Sequence, residues 1–294
     1  MAARPETGSP FIPLPEMSGR QFREWAELFE RRAGLVISPE RKSFLVTAVG
    51  LRMREAGFDD YEAYYQWLHR GRESLPEWSL LLDRVTVHET RFFRHPRALE
   101  LVSRHVSDKP CEGEALSYQV WSIGCATGEE AYSLAMVVDQ ALLARSGRSY
   151  FGVVASDISV PSLTVAREGI YKESRLDELD DRLLRHYFAP LEDGRFRVVE
   201  SLRRRVCFAQ MNIFDHARHP LGPMDVIYCQ NVLIYFQRER RKMLLDGLVE
   251  YLLPGGLLIL GSGDVVGWNH PRMERVRWDG VLAYRRLPPQ GRTT

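Results

Sequence analysis

The chain of 294 residues is long enough for one large core and a second, small domain. Charged residues make up 27% and hydrophobic residues 45%, which excludes a disordered protein, and a formal net charge of +1 gives no field that favours nucleic acid or a membrane surface. Because no run of about 18 apolar residues is present, we expect neither a membrane anchor nor a signal peptide, and a cytoplasmic location.

After its N-terminal segment the chain carries helical patterns, without a strand signal, for about eighty residues. Apolar side chains recur at helical spacing in four runs, with glycines and prolines at their limits. The residues expected to point inward are Phe22, Trp25 and Phe29 before Gly34; Phe44, Leu45, Ala48 and Leu51 in a helix over 39–55; Tyr61, Tyr64, Tyr65 and Leu68; and Trp78, Leu81, Leu82 and Val85 after Pro76. We predict a small all-helical domain over residues 18–88.

From residue 118 strands and helices alternate, which predicts an α/β domain over 89–290 with a doubly wound, Rossmann-like parallel sheet. Strands are predicted over 118–123, 150–155, 206–209, 225–229 and 257–260. Two further runs, 276–278 and 281–284, flank Asp279-Gly280 and predict a terminal antiparallel hairpin, which is unusual in a dinucleotide dehydrogenase. A short helix and a second hairpin around Asp193-Gly194 form a small β-hairpin insertion at about 180–205, which we expect to serve recognition.

A glycine loop, Gly124 to Gly128, follows the first strand at the carboxyl edge of the sheet, where ligands bind in such folds. Its spacing is not G-x-G-x-x-G, which disfavours a nicotinamide dinucleotide. Glu129 and Glu130 after the loop would repel a pyrophosphate and suit a cationic ligand, such as the amino group or sulfonium of S-adenosylmethionine. The same pair is equally typical of a first helical turn, where the helix dipole favours acidic residues.

Polar side chains follow three other predicted strands. Asp157 ends the second strand, where a carboxylate can accept both ribose hydroxyls, although it could also cap the next helix. Asn212 and Asn231 follow later strands and could bind an adenine edge and the amino-acid end of the ligand, although asparagine is common in turns. With the glycine loop, four strand ends converge on one crevice, which strengthens the ligand-binding interpretation.

The segment from Thr86 to Arg94, at the end of the helical domain, combines hydroxyl, aromatic and arginine side chains. On a helix, Thr86, Thr90 and Arg94 share one face. Arg94 could then hold a carboxylate by a charge-assisted pair. The alternative is an ordinary linker between domains with a surface arginine.

Three stretches of this sequence resemble signatures of the chemotaxis protein methyltransferases, the CheR family. They are 121–133 (WSIGCATGEEAYS), 90–94 (TRFFR) and 229–236 (CQNVLIYF), and Pro254-Gly255-Gly256 completes the set. The resemblance covers about residues 20–286 and implies a protein-glutamate O-methyltransferase. It also implies S-adenosyl-L-methionine as cofactor, S-adenosyl-L-homocysteine as product and no metal. The implied partner is the cytoplasmic domain of methyl-accepting chemoreceptors, with no nucleic acid and no direct membrane insertion.

The resemblance also implies the residues of the site. Cofactor contacts are expected at His88, Thr90, Arg94, Glu130, Asp157, Asn212, Ile213, Gln230 and Asn231, beside Gly124 and Glu129 of the loop region. Arg94 and Tyr235 are expected beside the transferred methyl group, where Arg94 steers the substrate carboxylate. The helical domain resembles the family's substrate-facing module, and the hairpin insertion resembles its receptor-contacting part.

Several positions depart from the family pattern. His88 stands where asparagine is usual, so its contact could depend on pH, and Gln230 replaces a usual arginine. Ala48 replaces a common arginine on the helical face expected to meet an acidic receptor, and the turn at 192–194 is short, which favours an enzyme that needs no receptor tether peptide. These departures leave open a non-catalytic protein that binds cofactor or receptor. A methyltransferase for RNA or a small molecule is the other alternative, and the near-neutral charge argues against RNA.

Overall fold

In the computed structural model, which describes residues 13–86, 88–110, 115–219, 221–264 and 267–289, helices alone precede the first strand. They are α1 (Gly19–Ala33), α2 (Lys42–Glu55), α3 (Tyr61–Leu68), α4 (Leu75–Val85) and α5 (Pro96–Asp108), with short 3-10 turns at Pro39–Arg41 and Gly71–Ser74. The predicted all-helical N-terminal part is therefore confirmed. Helix α5 was not predicted, although its buried Leu99, Val102 and Val106 follow helical spacing.

The ends of α1 show how the sequence sets its limits. Ser18 Oγ accepts a hydrogen bond from the backbone N–H of Gln21, whose side chain accepts one from the N–H of Ser18, which completes a capping box. At the other end Gly34 has a φ of 75°, and a Cβ there would lie 2.2 Å from Phe214 of the second domain. Glycine is required because both the left-handed backbone and this close packing exclude a side chain.

Helix α2 packs with a different face from the predicted one. Leu45, Ala48 and Val49 are buried, whereas Phe44 is 36% and Leu51 42% exposed. The predicted inward positions of Phe44 and Leu51 are wrong. Because successive helical residues are about 100° apart, an apolar run this broad has more than one face that could pack, and tertiary contacts select one. Ala48 is itself buried in this packing, so its side chain does not lie on an exposed face of α2.

Strands and helices alternate in the second domain. Its elements are β1 (Ala115–Ile123), α6 (Glu129–Leu143), β2 (Arg148–Asp157), α7 (Val160–Glu168), β3 (Ile170–Lys172), α8 (Asp181–Tyr187), β4 (Phe188–Pro190), β5 (Arg195–Val198), α9 (Glu200–Arg203), β6 (Val206–Gln210), β7 (Met224–Cys229), α10 (Arg238–Leu248), β8 (Leu252–Leu260), β9 (Met273–Trp278) and β10 (Val281–Arg286). Further 3-10 turns lie at Glu173–Arg175, Ile213–Arg218, Leu233–Tyr235 and Val249–Tyr251.

The large sheet has the strand order β6-β2-β1-β7-β8-β10-β9. Its first five strands are parallel, and β10 and β9 are antiparallel, as the predicted doubly wound sheet with a terminal hairpin requires. The chain moves outward from β1 through β2 to β6 and then returns to β7 on the other side of β1. This reversal opens a crevice beyond the carboxyl ends of β1 and β7, which is where ligands bind in such sheets.

The predicted hairpin insertion is confirmed as β4 and β5, and β3 makes it a three-stranded antiparallel sheet in the order β3-β5-β4. The third strand was not predicted, because a run of three residues has too little periodicity to be distinguished. The Leu191–Gly194 turn is tight, since the N–H of Gly194 donates to the carbonyl of Leu191 over 3.1 Å.

Two apolar cores lie on the two faces of the large sheet. One unites the helical domain with the sheet, since Trp25 and Phe29 of α1 belong to the same buried cluster as Ile123, Ile227 and Leu258. The other is formed by α5, α6 and the small sheet. Within the described ranges, no helix is both long enough and apolar enough to cross a bilayer.

Candidate functional site

A cavity of about 300 Å³ lies at the carboxyl ends of β1, β2 and β7. The helical domain forms one of its walls through Ala33, Leu35, Val36, Ile37 and Arg41. Most of the predicted site residues line the cavity, namely His88, Thr90, Arg94, Gly124, Glu130, Asp157, Asn212, Ile213, Gln230, Asn231 and Tyr235. Of the predicted set, Glu129 is the member that does not line it.

Asp157 joins the glycine loop to the loop after β2. Its Oδ2 accepts the N–H of Ala126 at 2.8 Å and its Oδ1 accepts the N–H of Ser159 at 2.9 Å. Burial raises the pKa of Asp157, and these two hydrogen bonds oppose that effect. Since a carboxylate offers about four acceptor sites, the group can still accept hydroxyl donors from the cavity.

The glycine loop approaches its neighbours closely. Gly124 has a φ of 73° and its N–H donates to the carbonyl of Ser156 at 2.8 Å. A Cβ at this position would lie 2.3 Å from Cγ2 of Val232, which lines the same cavity. The loop therefore has no room for a side chain between the strand end and the cavity.

The two glutamates after the loop have different surroundings. Glu130 lines the cavity, accepts a hydrogen bond from Ser122 Oγ at 2.7 Å, and has its pKa raised to about 8 by desolvation. Glu129 is 1% exposed, accepts a hydrogen bond from Thr127 Oγ1 at 2.6 Å and lies 3.9 Å from Arg175. Glu130 is thus the one that can meet a cation in the cavity.

The segment before α5 is an irregular turn in its described part, and the helix considered for it is not formed. Phe93 has a left-handed φ of 51°, and its N–H donates to Ser133 Oγ at 3.0 Å. Because the chain reverses here, Thr90 and Arg94 reach the cavity from a turn and not from one helical face. Arg94 NH1 donates to the carbonyl of Glu89 at 2.6 Å, which fixes its guanidinium at the wall.

His88 connects the cavity to the helical domain. Its Nε2 lies 3.1 Å from Asp83 Oδ1 and 2.9 Å from Thr86 Oγ1. Burial opposes the charged ring, but the hydrogen bond with Asp83 and the charges of Asp157 and Asp83 prevail and raise the pKa of His88. Asp83 also accepts a hydrogen bond from Ser159 Oγ, so α4 contacts the loop that follows β2.

Asn212 contacts the helical domain as well as the cavity. Its Nδ2 donates to the carbonyl of Arg32 at 2.9 Å, and its Oδ1 accepts the N–H of Phe214 at 3.1 Å. Much of its hydrogen-bonding capacity is therefore used within the protein. Ile213 beside it is 8% exposed and contributes an apolar contact to the same wall.

The loop after β7 carries Gln230, Asn231 and Tyr235 to the cavity. Asn231 adopts a left-handed φ of 60°, and the N–H of Val36 donates to the carbonyl of Tyr235 at 2.9 Å. Burial raises the pKa of Tyr235, so its hydroxyl remains protonated at neutral pH and can donate a hydrogen bond. Arg94 and Tyr235, the two residues predicted to be catalytic, both line the cavity.

Two polar residues that contact Asn231 were not predicted. Asp264 Oδ2 accepts the N–H of Asn231 at 3.0 Å, and Nε2 of His95 lies 3.0 Å from Nδ2 of Asn231. Burial and the charges of Arg94 and Arg91 lower the pKa of His95. Asp264 lies shortly after the end of β8, and Asp157 is the last residue of β2, so the same inspection of strand ends would have found it. No cluster of three or more metal-binding side chains occurs in the described part of the chain.

Comparison with known proteins gives matches over both domains. Residues 20–86 match the model of the CheR methyltransferase all-alpha domain, and residues 88–279 match that of the CheR methyltransferase SAM binding domain. The chain is 33% identical over 251 residues to the chemotaxis protein methyltransferase of Salmonella typhimurium, covering 84% of each protein. It is 32% identical over 262 residues to that of Escherichia coli K12, covering 88% of this chain and 87% of the relative. A relative from Borreliella burgdorferi is 28% identical over 240 residues, which cover 80% of this chain and 84% of the relative.

Proposed function

Because the chain belongs to the CheR methyltransferase family, we propose that it methylates glutamate side chains in the cytoplasmic domains of chemoreceptors. The family establishes an S-adenosylmethionine-binding methyltransferase of chemotaxis, and the acceptor is our proposal. We assign the activity to the cytoplasm, with a substrate-facing domain at 18–88, a methyltransferase domain at 89–290 and a recognition insertion at about 180–205.

The donors and acceptors of the cavity fit S-adenosylmethionine. Asp157 retains acceptor sites for ribose hydroxyls, and Glu130 offers a carboxylate to a cationic amino or sulfonium group. Gly124 lines the cavity at the end of the strand with no side chain of its own. We propose that these residues, with His88, Thr90, Asn212, Ile213, Gln230 and Asn231, hold the cofactor.

The observation that carries the choice of acceptor is the position of Arg94, which lines the same cavity as Tyr235 and Glu130 and is held there by its hydrogen bond to the carbonyl of Glu89. A glutamate carboxylate is ionised at neutral pH, so no base is needed to activate it. When bound, S-adenosylmethionine supplies a methyl group on a positively charged sulfur, so the carboxylate oxygen gains the methyl and the sulfur keeps the electron pair. Arg94 holds the acceptor by a charge-assisted hydrogen bond, and the Tyr235 hydroxyl donates to the same carboxylate. The two side chains act by orientation.

The test uses cofactor with a tritiated methyl group and receptor-enriched membranes from the source organism. We expect label in receptor protein, and we expect alkali to release it as volatile methanol because a glutamyl methyl ester hydrolyses. Cofactor binding by calorimetry without transfer would favour a non-catalytic protein. Alkali-stable label, or label in RNA or small molecules, would contradict the glutamate assignment.

Arg94→Ala gives the matching test of the site. We expect methyl transfer to fall by about 100-fold or more, because a donor directed at the reacting group is lost, while the fold is kept. Arg104→Ala is the control, since Arg104 of α5 lies outside the cavity lining and pairs with Asp108 at the surface. Undiminished transfer by the Arg94 variant would exclude this role.

A further inference from the structure

We propose that Asp264 is a positioning residue for methyl transfer, which fixes the loop that carries Tyr235. This inference rests on the proposed function through the role of Tyr235. Asp264 is not in the cavity lining, and it acts through the backbone of the 230–236 segment.

Asp264 is 0% exposed, and its carboxylate accepts hydrogen bonds from three backbone N–H groups. Its Oδ2 accepts the N–H of Gly261 at 2.8 Å and that of Asn231 at 3.0 Å, and its Oδ1 accepts the N–H of Ile234 at 3.2 Å. Both oxygens are therefore used, and they join the end of β8 to two points of the loop after β7. A Cβ on Gly261 would lie 2.5 Å from Oδ2, so the backbone approaches the carboxylate as closely as glycine allows.

The 230–236 loop contains a residue with a left-handed backbone. Asn231 has a φ of 60°, a conformation that asparagine adopts more readily than most residues but that is still less favourable than the common regions unless contacts stabilise it. The bond from its N–H to Asp264 is such a contact, and the bond to Ile234 lies one residue before Tyr235.

Arg241 of α10 contacts the same loop from its other side. Its Nε donates to the carbonyl of Phe236 at 2.7 Å, and its NH2 group donates to the carbonyl of Ile234 at 3.1 Å. Its NH1 group donates to the backbone carbonyl of Asp264 at 3.1 Å. The residues before and after Tyr235 are thus both fixed, which leaves the tyrosine little freedom.

The hydrogen bonds that Asp264 and Arg241 make to the 230–236 loop are local. We therefore expect their loss to affect the position of the loop more than the folding of the domain. Helix α10 is anchored by Leu244, Leu245 and Leu248, which are buried in a core that also includes Ile227 and Leu258 of the large sheet. Loosening the loop should therefore move Tyr235 without unfolding the domain. A displacement of about 1 Å at a reacting group can reduce a rate by about 100-fold.

The variant Asp264→Asn tests this proposal, because an amide cannot accept hydrogen bonds at both of its terminal atoms. We expect kcat to fall by roughly 10- to 100-fold while the KM for receptor changes by less than about threefold, and we expect the Kd for S-adenosylhomocysteine to rise because Asn231 is one of the proposed cofactor contacts. Arg241→Gln should lower kcat in the same way, and the double variant should lose less than the product of the two single losses, because both act on one loop.

Asp225→Asn is the matched control. Asp225 is also buried, at 3% exposure, and accepts the N–H of Gln119 at 2.8 Å, but it lies at the opposite edge of the sheet, at the start of β7. It also pairs with Lys109. We expect this variant to lower the melting temperature while kcat per folded molecule stays unchanged. If Asp264→Asn behaves in the same way, its role is structural and the proposal is wrong.

Amide hydrogen exchange tests the role of Asp264 without requiring the receptor that accepts the methyl group. In Asp264→Asn the 230–236 segment should exchange faster, while strands β1 and β2 stay protected as in the unaltered protein. Unchanged exchange in 230–236 would overturn the proposal even if receptor methylation is observed. Absence of receptor methylation by the unaltered protein would instead refute the glutamate assignment, and the exchange result would still decide the role of Asp264.

Discussion

Glu130 should lose a proton when S-adenosylmethionine binds, and this proton can be counted. Desolvation raises the pKa of Glu130 to about 8, so at pH 7 about 0.9 of the molecules carry a neutral Glu130. A cation in contact with the group favours its ionised form. If the bound form is fully ionised, binding releases about 0.9 proton at pH 7 and about 0.1 proton at pH 9, and affinity rises almost tenfold per pH unit below pH 8.

The measurement is isothermal titration calorimetry in buffers of different ionisation enthalpy. The slope of the observed binding enthalpy against the ionisation enthalpy of the buffer gives the number of protons released. Glu130→Gln provides the reference, since titration of the ligand's own amino group contributes to both proteins and cancels in the difference. Glu129→Gln is the matched control, because Glu129 lies one residue away and does not line the cavity. We expect this control to release protons as the unaltered protein does.

Two results would refute the reasoning. One is equal proton release by the unaltered protein and Glu130→Gln at pH 7, which would mean that the carboxylate is already ionised or does not meet the cation. The other is loss of the release in Glu129→Gln alone, which would assign the cation to the other glutamate.

Three further predictions concern stability. Gly124→Ala should lower the free energy of unfolding by roughly 1–3 kcal/mol in urea, because the left-handed backbone and the Cβ contact with Val232 at 2.3 Å both exclude a side chain; a change below about 0.5 kcal/mol would contradict this. His88 has a raised pKa, so its charged form stabilises the folded chain fully below the ordinary value of 6.5, and this contribution is lost as pH rises through the folded-state value. The unfolding free energy of the unaltered protein minus that of His88→Gln should therefore decrease with rising pH, and a difference independent of pH between 5.5 and 9 would argue against it. Glu77→Gln removes the more buried of the two carboxylates that pair with Arg52, the other being Glu55, and should reduce stability by about 1.5–3 kcal/mol in chemical denaturation; a loss below about 0.5 kcal/mol would contradict this.

The sequence predicts most of the fold because periodicity and strand ends are local signals. The helical domain, the parallel sheet, its terminal hairpin and the crevice all follow from apolar spacing and turn residues. The exposed Phe44 and Leu51 of α2 and the unpredicted β3 mark the limit, since the phase of a helix and the pairing of a very short strand depend on distant contacts.

The site is predictable as a set of positions and much less as a set of contacts. Apart from the family resemblance, nothing in the sequence distinguishes Glu129 from Glu130, because the helical phase that turns one into the cavity is set by packing. The same holds for Asn212, whose amide bonds to the carbonyl of Arg32 in another domain. The turn at Phe93 was missed because a left-handed φ in a large aromatic residue has no local sequence signal.

The segment that joins α1 to α2 has a consequence for how these proteins can be recombined. Residues 33–37 of the helical domain form part of the cofactor cavity, and Val36 hydrogen-bonds to the backbone of Tyr235. A chimera that takes its helical domain from a relative, to test the proposed role of this domain in receptor choice, would therefore also receive a new cavity wall. Cofactor affinity and receptor preference should change together in such exchanges, unless residues 33–37 are kept from the recipient.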